Sequence, residues 1–493
     1  MQSDETFRVA VVGGGIGGAS SAYYLRKIFG NKVSITLFEK SGRIGGRIKA
    51  IPFGGETCES GASSIHPSNK YILSFARQFK IPLSPINTTD QRLLLFQENY
   101  KPAFSNVTSL TQFTAKARLY WRYGFNLFTS NLYLRNKIRE FTKIYTLQNR
   151  GECFTSPALL LKALSNDFVE MTKFSFADWM SKKMQLDERY INEIAFGICS
   201  NNYCQNLNVH GFVGLISLSC ITSYVHTVEN GAEQIPQKLV EIALADNPVG
   251  APKEFIHATV KKITRSDNDR LCLSYDLADG NTTQEGLFDY VILSLPLNQE
   301  SNISTSSDIQ LPKIQYQEIC HTFLSGRVNY SLFGLPIKCL RKNKSVAFLP
   351  VSSYYSHEEY PVRSLTRLPV KPTNTEVTDG IWAIFSESKY IPEPETTLPN
   401  LILKDPNNAR NRVNVVRWLA YPTYRPVNNP YTDLGQFKLA SRVYYPNAIE
   451  SAASCMEMAI IGGRNVALLI AKEMKHLIGD QPRTFFTDWR ISR

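Results

Sequence analysis

The chain has 493 residues, 43% hydrophobic and 20% charged, and a formal net charge of +12. That length is too great for one simple core and predicts two intertwined domains. Lys and Arg are scattered over the whole length, which excludes the sustained basic stripe of a nucleic-acid binder and leaves a basic solvated surface.

Other global features narrow the class further. The most apolar window, Gly211 to Ile221, is short and broken by serines, so no membrane span is expected and the chain reads as soluble. The opening MQSDETFR reaches the first strand with no apolar signal core, which predicts a cytosolic protein or one whose leader is missing from this sequence. Nine cysteines with no C-x-x-C pair and no histidine at zinc spacing predict no metal. Sequons at Asn87, Asn106, Asn281, Asn302, Asn329 and Asn343 would accept glycans in a secretory compartment.

The first element is a strand. Val9 to Val12 form an apolar run that stops at glycines, and from Ala19 the positions Ala22, Tyr23, Leu25 and Ile28 follow helical spacing. In the turn between them, Gly13, Gly15 and Gly18 fit G-x-G-x-x-G: the first permits the bend, the second admits a pyrophosphate, the third packs helix on strand. The helix start then offers its N–H groups and positive dipole end to phosphate. A second run, Val33 to Phe38, ends at Glu39, whose carboxylate would accept from both ribose hydroxyls of an adenosine. After five intervening residues come Gly45, Gly46 and Arg47. This E-x5-G-G-R arrangement resembles the flavoprotein group of amine oxidases, phytoene desaturases and protoporphyrinogen oxidase. The resemblance implies FAD rather than NAD, with Gly45, Gly46 and Arg47 along the pyrophosphate and Gly17 and Lys40 also at the cofactor.

The segment Gly61-Ala62-Ser63-Ser64-Ile65-His66-Pro67-Ser68-Asn69 resembles G-G-S-x-I-H-P-x-N of the prenylcysteine oxidases, also called farnesylcysteine lyases, with Ala62 at a family glycine. Leu110 to Leu147 is rich in aromatic and basic residues and reads as one or two helices. Its W-R-Y-G-F segment, Trp121 to Phe125, is similar to the same family and is read as core, as the wall of a prenyl channel or as a surface that meets membrane.

Asn202-Tyr203-Cys204-Gln205 and Phe212 to Leu218 resemble the family's N-Y-G-Q and F-V-G-A-V-S-L, with Cys204 at a glycine. Cys199 and Cys204 would lie near one another and are read as inert buried thiols, a disulfide being the alternative. Val228 to Pro236 is placed like W-x-V-E-G-G-N, with His226 at the tryptophan and Asn230-Gly231-Ala232 at G-G-N; a helix is expected from Pro236 to Leu244.

Ala258 to Ile263 alternates as a strand, and the resemblance puts the backbone of Val260 at the adenine. Strands are also expected at Leu271 to Leu277 and Tyr290 to Leu295, and again at His321 to Val328 and Val346 to Val351. Pro361 to Asn411, rich in Pro, Thr and Asn, reads as an irregular surface insertion around one strand, Ile381 to Phe385. Trp418 to Pro422 and Tyr444 to Met458 resemble W-L-A-Y-P and L-Y-Y-x-N-x-I-E-x-A-A-S-x-M-E-M. A helix is expected to start at Glu450 and run through Ile470, with Glu450 and Ala453 at the flavin and small residues allowing close approach to it.

The resulting expectation is an α/β protein in which a Rossmann-like FAD-binding domain (5–85, 223–300 and 431–476) is interrupted by a mixed α+β substrate domain (86–222 and 301–430), followed by a tail, 477–493. By resemblance, the reaction is oxidation of farnesyl- or geranylgeranylcysteine by O2 and water to cysteine, prenyl aldehyde and hydrogen peroxide, in the lysosome or secretory pathway. Peripheral membrane contact is a further implication. No triad or paired-carboxylate signature is present, and no catalytic side chain is nominated. An amine oxidase or desaturase, and a non-enzymatic FAD-stabilised protein, remain as alternatives.

Overall fold

The computed structural model describes residues 6–86, 92–97, 100–107, 109, 111–245, 247, 254–266, 268–280, 282–335, 346–352, 362–368, 370 and 380–478. Phe7–Val12 and Val33–Glu39 are buried almost throughout, as strands covered on both faces must be, and they pair in parallel from Phe7 with Val33 to Val12 with Phe38. They lie at the centre of a nine-stranded sheet. On one side Glu254–Arg265 pairs in parallel with Val33–Glu39 and continues into the antiparallel strands Leu271–Leu277 and Thr283–Phe288; on the other lie Tyr290–Leu293, Val443–Tyr444 and Lys438–Ala440.

Helix Ile16–Phe29 packs against helices Gln234–Ala245 and Met456–Glu473. The last of these approaches closely because of Gly463: a Cβ there would lie 2.2 Å from Ser20 Oγ and 2.7 Å from the Gly17 carbonyl. Small residues of this helix thus serve helix packing, which is compatible with close approach of its start to the flavin.

A second sheet of seven strands runs Arg412–Pro422, Tyr316–Ser325, Ile381–Glu387, Val362–Leu368, Val346–Pro350, Arg92–Phe96 and Pro102–Ser105. Among the described residues all its pairings are antiparallel except that of Val346–Pro350 with Arg92–Phe96, which joins chain segments far apart in sequence. Between Gln112 and Leu218 the chain is helical for most of its length.

Three expectations need correction. Pro361 to Asn411 is no irregular insertion over its described part: Val362–Leu368 and Ile381–Glu387 are inner strands, helix Pro394–Ile402 follows, and Trp382 is fully buried. Ile381–Glu387 contains the expected strand, whereas Pro and Asn flanks hid Val362–Leu368, whose buried Arg363 is neutralised by Glu387 on the neighbouring strand. The C-terminal helix begins at Met456, not Glu450, because Pro446–Ser451 takes a separate 3-10 turn and Cys455, extended, caps the helix through Sγ to the Met458 N–H. The aromatic-basic segment forms three helices, Gln112–Tyr123, Asn126–Phe141 and Lys143–Asn149, the first stopped by Gly124 at φ +53°.

Candidate active site

The glycine turn is fixed by collisions. Gly13 sits at φ +107°, where a Cβ would fall 2.2 Å from the Ser294 carbonyl, and a Cβ on Gly18 would fall 2.1 Å from the Gly13 carbonyl. Gly15 is the open position, with only Gly46 Cα within 4 Å at 3.8 Å. Gly17 faces Ser294 Oγ and Asn447 Oδ1 and is a packing position. Gly15 is also the N-cap of helix Ile16–Phe29; it offers no side chain to the first turn, and that turn holds no acid to repel an anion.

Gly45 donates to the Gly14 carbonyl at 2.9 Å, and Gly45 and Gly46, at φ +131° and +57°, bring the second glycine pair directly against Gly15. The two motifs thus form one backbone-lined cradle. Glu39 lies at the strand tip beside it, with Oε2 accepting from the Gly14 N–H at 2.7 Å and Oε1 accepting from the Ser41 N–H and hydroxyl. Lys40 is exposed next to it, its carbonyl 3.1 Å from His257 Nε2. Val260 is buried three residues beyond His257, the strand partner of Glu39. Backbone donors, a side-chain-free approach at Gly15 and a held carboxylate are the donor set a dinucleotide with an unphosphorylated ribose requires, so these residues fit FAD.

Arg47 departs from a pure pyrophosphate role. Its guanidinium is ion-paired with Glu450, donates to the Ala420 carbonyl at 2.9 Å and lies 5.8 Å from the Tyr316 ring centroid. Burial disfavours its charge, but Glu450 and the Tyr316 phenol outweigh that and raise its pKa. Tyr316 in turn donates to Glu450 Oε2 at 3.0 Å. The arginine therefore ties the glycine turn to the C-terminal 3-10 turn and to the second sheet.

Around that turn stands an aromatic cluster the sequence reading missed. Tyr203 donates to the Ser454 carbonyl at 3.1 Å, Tyr424 accepts from the Ser454 N–H at 2.9 Å, and the Tyr203 ring stands 5.0 Å from Tyr421 and 5.5 Å from Tyr424. His210 Nδ1 accepts from the Val213 N–H, so Nε2 carries the proton and donates to the Ser451 carbonyl at 3.0 Å. Burial lowers its pKa to about 4, partly offset by that carbonyl. Gln205 closes the set, donating to the Pro422 carbonyl and accepting from the Tyr424 N–H. Trp418 Nε1 and His321 both reach the Ser60 carbonyl, at 2.8 and 3.0 Å. The segments Asn202–Gln205, Trp418–Tyr424 and Glu450–Cys455 converge, with Ala453 fully buried among them. Three tyrosines in two motifs, Tyr203 in one and Tyr421 and Tyr424 in the other, were the available signal, though no spacing rule joins segments more than two hundred positions apart.

His66 contacts Thr222 Oγ1 at 3.0 Å and accepts from the Ser68 N–H, and burial lowers its pKa. His226 sits on a two-stranded ribbon, Leu83–Ile86 with Val225–Val228. Asn230 takes φ +62° and Gly231 φ +110°, so the turn keeps glycine-like geometry with an asparagine, which tolerates it. Cys204 takes φ +50°, and Cys199 and Cys204 are unbridged. Trp121 and Phe125 are 93% and 73% exposed and line no internal channel, because the helix turns Ala115 and Tyr123 inward instead. A hollow of about 610 Å³ beside Phe104, Arg118 and Trp121 lies on the outside and shares no residue with the cradle. Among the described residues no group of His, Cys, Asp and Glu could hold a metal, and no helix is long and apolar enough to cross a membrane.

The family described as prenylcysteine lyase matches residues 107–480, and an NAD(P)-binding Rossmann-like domain matches residues 11–79. The chain belongs to the prenylcysteine lyase family. Human prenylcysteine oxidase 1 is 30% identical over 477 residues, covering 94% of this chain and 88% of the relative, and the mouse protein is 28% identical over 474. Human prenylcysteine oxidase 1-like is 27% identical over 477 residues, covering 94% of this chain and 90% of the relative. Among solved structures, a putrescine oxidase double mutant superposes with TM-score 0.58 at 16% identity, covering 95% of this chain and 100% of that one. Cyclohexylamine oxidase from Brevibacterium oxydans gives 0.57 at 13%, covering 95% and 100%. The family member thus shares its fold with amine oxidases, while its sequence relatives are prenylcysteine oxidases.

Proposed function

We propose that this chain is an FAD-dependent oxidase that cleaves S-prenyl-L-cysteine, taking O2 and water and giving cysteine, the prenyl aldehyde and hydrogen peroxide. The observation that carries the reading is the convergence of the family-like segments Asn202–Gln205, Trp418–Tyr424 and Glu450–Cys455 beside the glycine cradle. FAD, when bound, supplies the hydride acceptor for the carbon between sulfur and the double bond, and O2 takes the electrons on as peroxide.

The protein's part is placement and dryness. Gly13, Gly15 and Gly18, with Gly45 and Gly46, would hold the pyrophosphate, Glu39 the ribose, and the Val260 backbone the adenine. The Arg47–Glu450 pair and the tyrosines at Ser454 lock the turn on which Glu450 and Ala453 would meet the flavin. Sulfur and the allylic double bond both stabilise the cation left by hydride loss, so a strong base is unnecessary. His210 fits that economy, being buried, neutral and committed to two backbone groups.

Peroxide release from flavin-loaded protein offered farnesylcysteine, geranylgeranylcysteine and spermine in parallel tests the reading. Turnover of both prenyl substrates and none of spermine is the expected result. Spermine turnover alone would make the chain an amine oxidase, and silence on all three with flavin bound would leave a non-enzymatic member. A lysosomal or secretory location is part of the proposal, supported by the resemblance and by Asn302, which is exposed. Asn106 is buried with Oδ1 held by the Leu93 N–H and would carry no glycan, while Asn87, Asn281 and Asn343 lie outside the described residues. Native protein wholly cytosolic and without glycan would defeat the location.

A further inference from the structure

We propose that the outer face of helices Gln112–Tyr123 and Asn126–Phe141 docks on an anionic phospholipid bilayer, a property beyond the thioether reading and independent of it. On an ordinary surface helix the apolar stripe faces the core. Here it faces out. Phe113, Tyr120 and Trp121 are 81%, 58% and 93% exposed and recur at helical spacing, and Phe125, Phe128 and Leu132 continue the face along the second helix at 73%, 55% and 51%. Phe125 and Phe128 pack against each other on the outside, ring centroids 5.3 Å apart.

The charge of the face is predominantly positive. Between Glu98 and Glu140 the sequence carries Lys101, Lys116, Arg118, Arg122, Arg135, Lys137 and Arg139 and neither Asp nor Glu. Acids from neighbouring elements neutralise two of these at the inner edge: Glu193 pairs with Arg122, and Glu140 and Asp167 pair with Lys137. Asp187, exposed and hydrogen-bonded by the neutral Asn126 amide, keeps its negative charge at the edge of the face. Lys116, Arg118, Arg135 and Arg139 are exposed, and the hydrogen bonds of Arg118 and Arg135 go to the Ser105 and Thr222 carbonyls, which leave the charge uncancelled. Exposed Trp, Tyr and Phe ringed by Arg and Lys is the composition that enters the headgroup region of an anionic leaflet. A second copy of this chain on the same face would set these cations against themselves, so the bilayer is the occupant the charge selects.

The face also adjoins the core of the molecule where a lipid-derived substrate is of use. Asn131 and Arg135 donate to the Ile221 and Thr222 carbonyls at 3.4 and 3.2 Å, and Thr222 Oγ1 lies 3.0 Å from His66 Nε2 in the Ala62–His66 segment. Docking would thus place the bilayer one turn of chain from that segment.

Co-sedimentation of the full flavin-loaded protein with vesicles of phosphatidylcholine, with and without phosphatidylserine, tests the proposal. Binding that requires phosphatidylserine and falls with salt is expected. Trp121→Ser/Phe125→Ser and Lys116→Glu/Arg118→Glu should each weaken it by on the order of tenfold, while Lys313→Glu/Lys404→Glu, elsewhere on the surface, should change it far less. Trp121→Phe should still bind yet lose the vesicle-induced blue shift of tryptophan fluorescence. Flavin content reports that each variant has folded. Absence of binding, binding lost equally in the Lys313/Lys404 variant, or a dimer in solution that the Trp121 variant dissociates would each overturn the proposal.

Discussion

The glycine cradle and the aromatic helix pair obey opposite rules. In the cradle two of the glycines are dictated by backbone distance: Gly13 and Gly18 are glycines because oxygen atoms stand 2.2 and 2.1 Å from where a Cβ would be. On the helix pair nothing collides with the outer residues, and Trp121 could be almost any amino acid without disturbing the fold. The comparison teaches that constraint written by sterics survives in a motif, whereas a surface selected for what it touches outside the molecule leaves only a biased composition. In the first region substitutions should unfold the protein or strip its cofactor; in the second they should do neither.

Gly18→Ala should produce the largest effect, a loss of about 3 kcal/mol or more with no retained flavin, read by thermal melting and by visible absorbance. A variant that melts like wild type and stays yellow would show that the turn has room the structure denies. Glu450→Gln comes next. It leaves the guanidinium of Arg47 beside a neutral amide, and since Arg47 is about a quarter exposed the cost should be about 2–3 kcal/mol, below that of a wholly buried pair. Melting curves of Arg47→Met and of the double variant complete the cycle, and additivity would deny the coupling.

Acid should act through His210. Its pKa is lowered from 6.5 to about 4 in the folded chain, so the unfolded state takes the proton first and stability is lost as pH falls from about 6.5 towards 4, by about 2–3 kcal/mol. His210→Gln should flatten that part of a stability profile measured by denaturant titration at each pH; an unchanged slope would exclude His210 as its source. Glu39→Gln should weaken FAD binding by about 1.5–3 kcal/mol, with the apoprotein folded, as flavin titration would report. Trp121→Ser should shift stability by no more than about 0.5 kcal/mol and leave flavin content untouched, and any larger loss would mean the helix pair packs more tightly than its exposure indicates.

Much of the first sheet was legible, since strand, glycine turn, helix and acid succeed one another within forty positions and each step has a local physical cause. The second sheet was harder. Val362–Leu368 was taken for surface because its flanks are rich in Pro and Asn, and its buried Arg363 is stable only because Glu387 stands on the adjacent strand, a pairing no local pattern announces. The last helix starts six residues later than the sequence predicts, because Pro446–Ser451 forms its own 3-10 turn, in which the Glu450 carboxylate is engaged by Arg47 and Tyr316.

The sequence by itself determined the nucleotide cradle, the family and hence the chemistry, because glycine positions, a strand-tip acid and contiguous motifs are short-range properties of a chain. Tertiary structure alone decided that Arg47 meets Glu450, that Tyr203, Tyr421 and Tyr424 brace one turn around Ser454, and that Trp121 faces outward. Those outcomes depend on which elements pack against which, and on the rotation of a helix about its own axis, neither of which local spacing can encode.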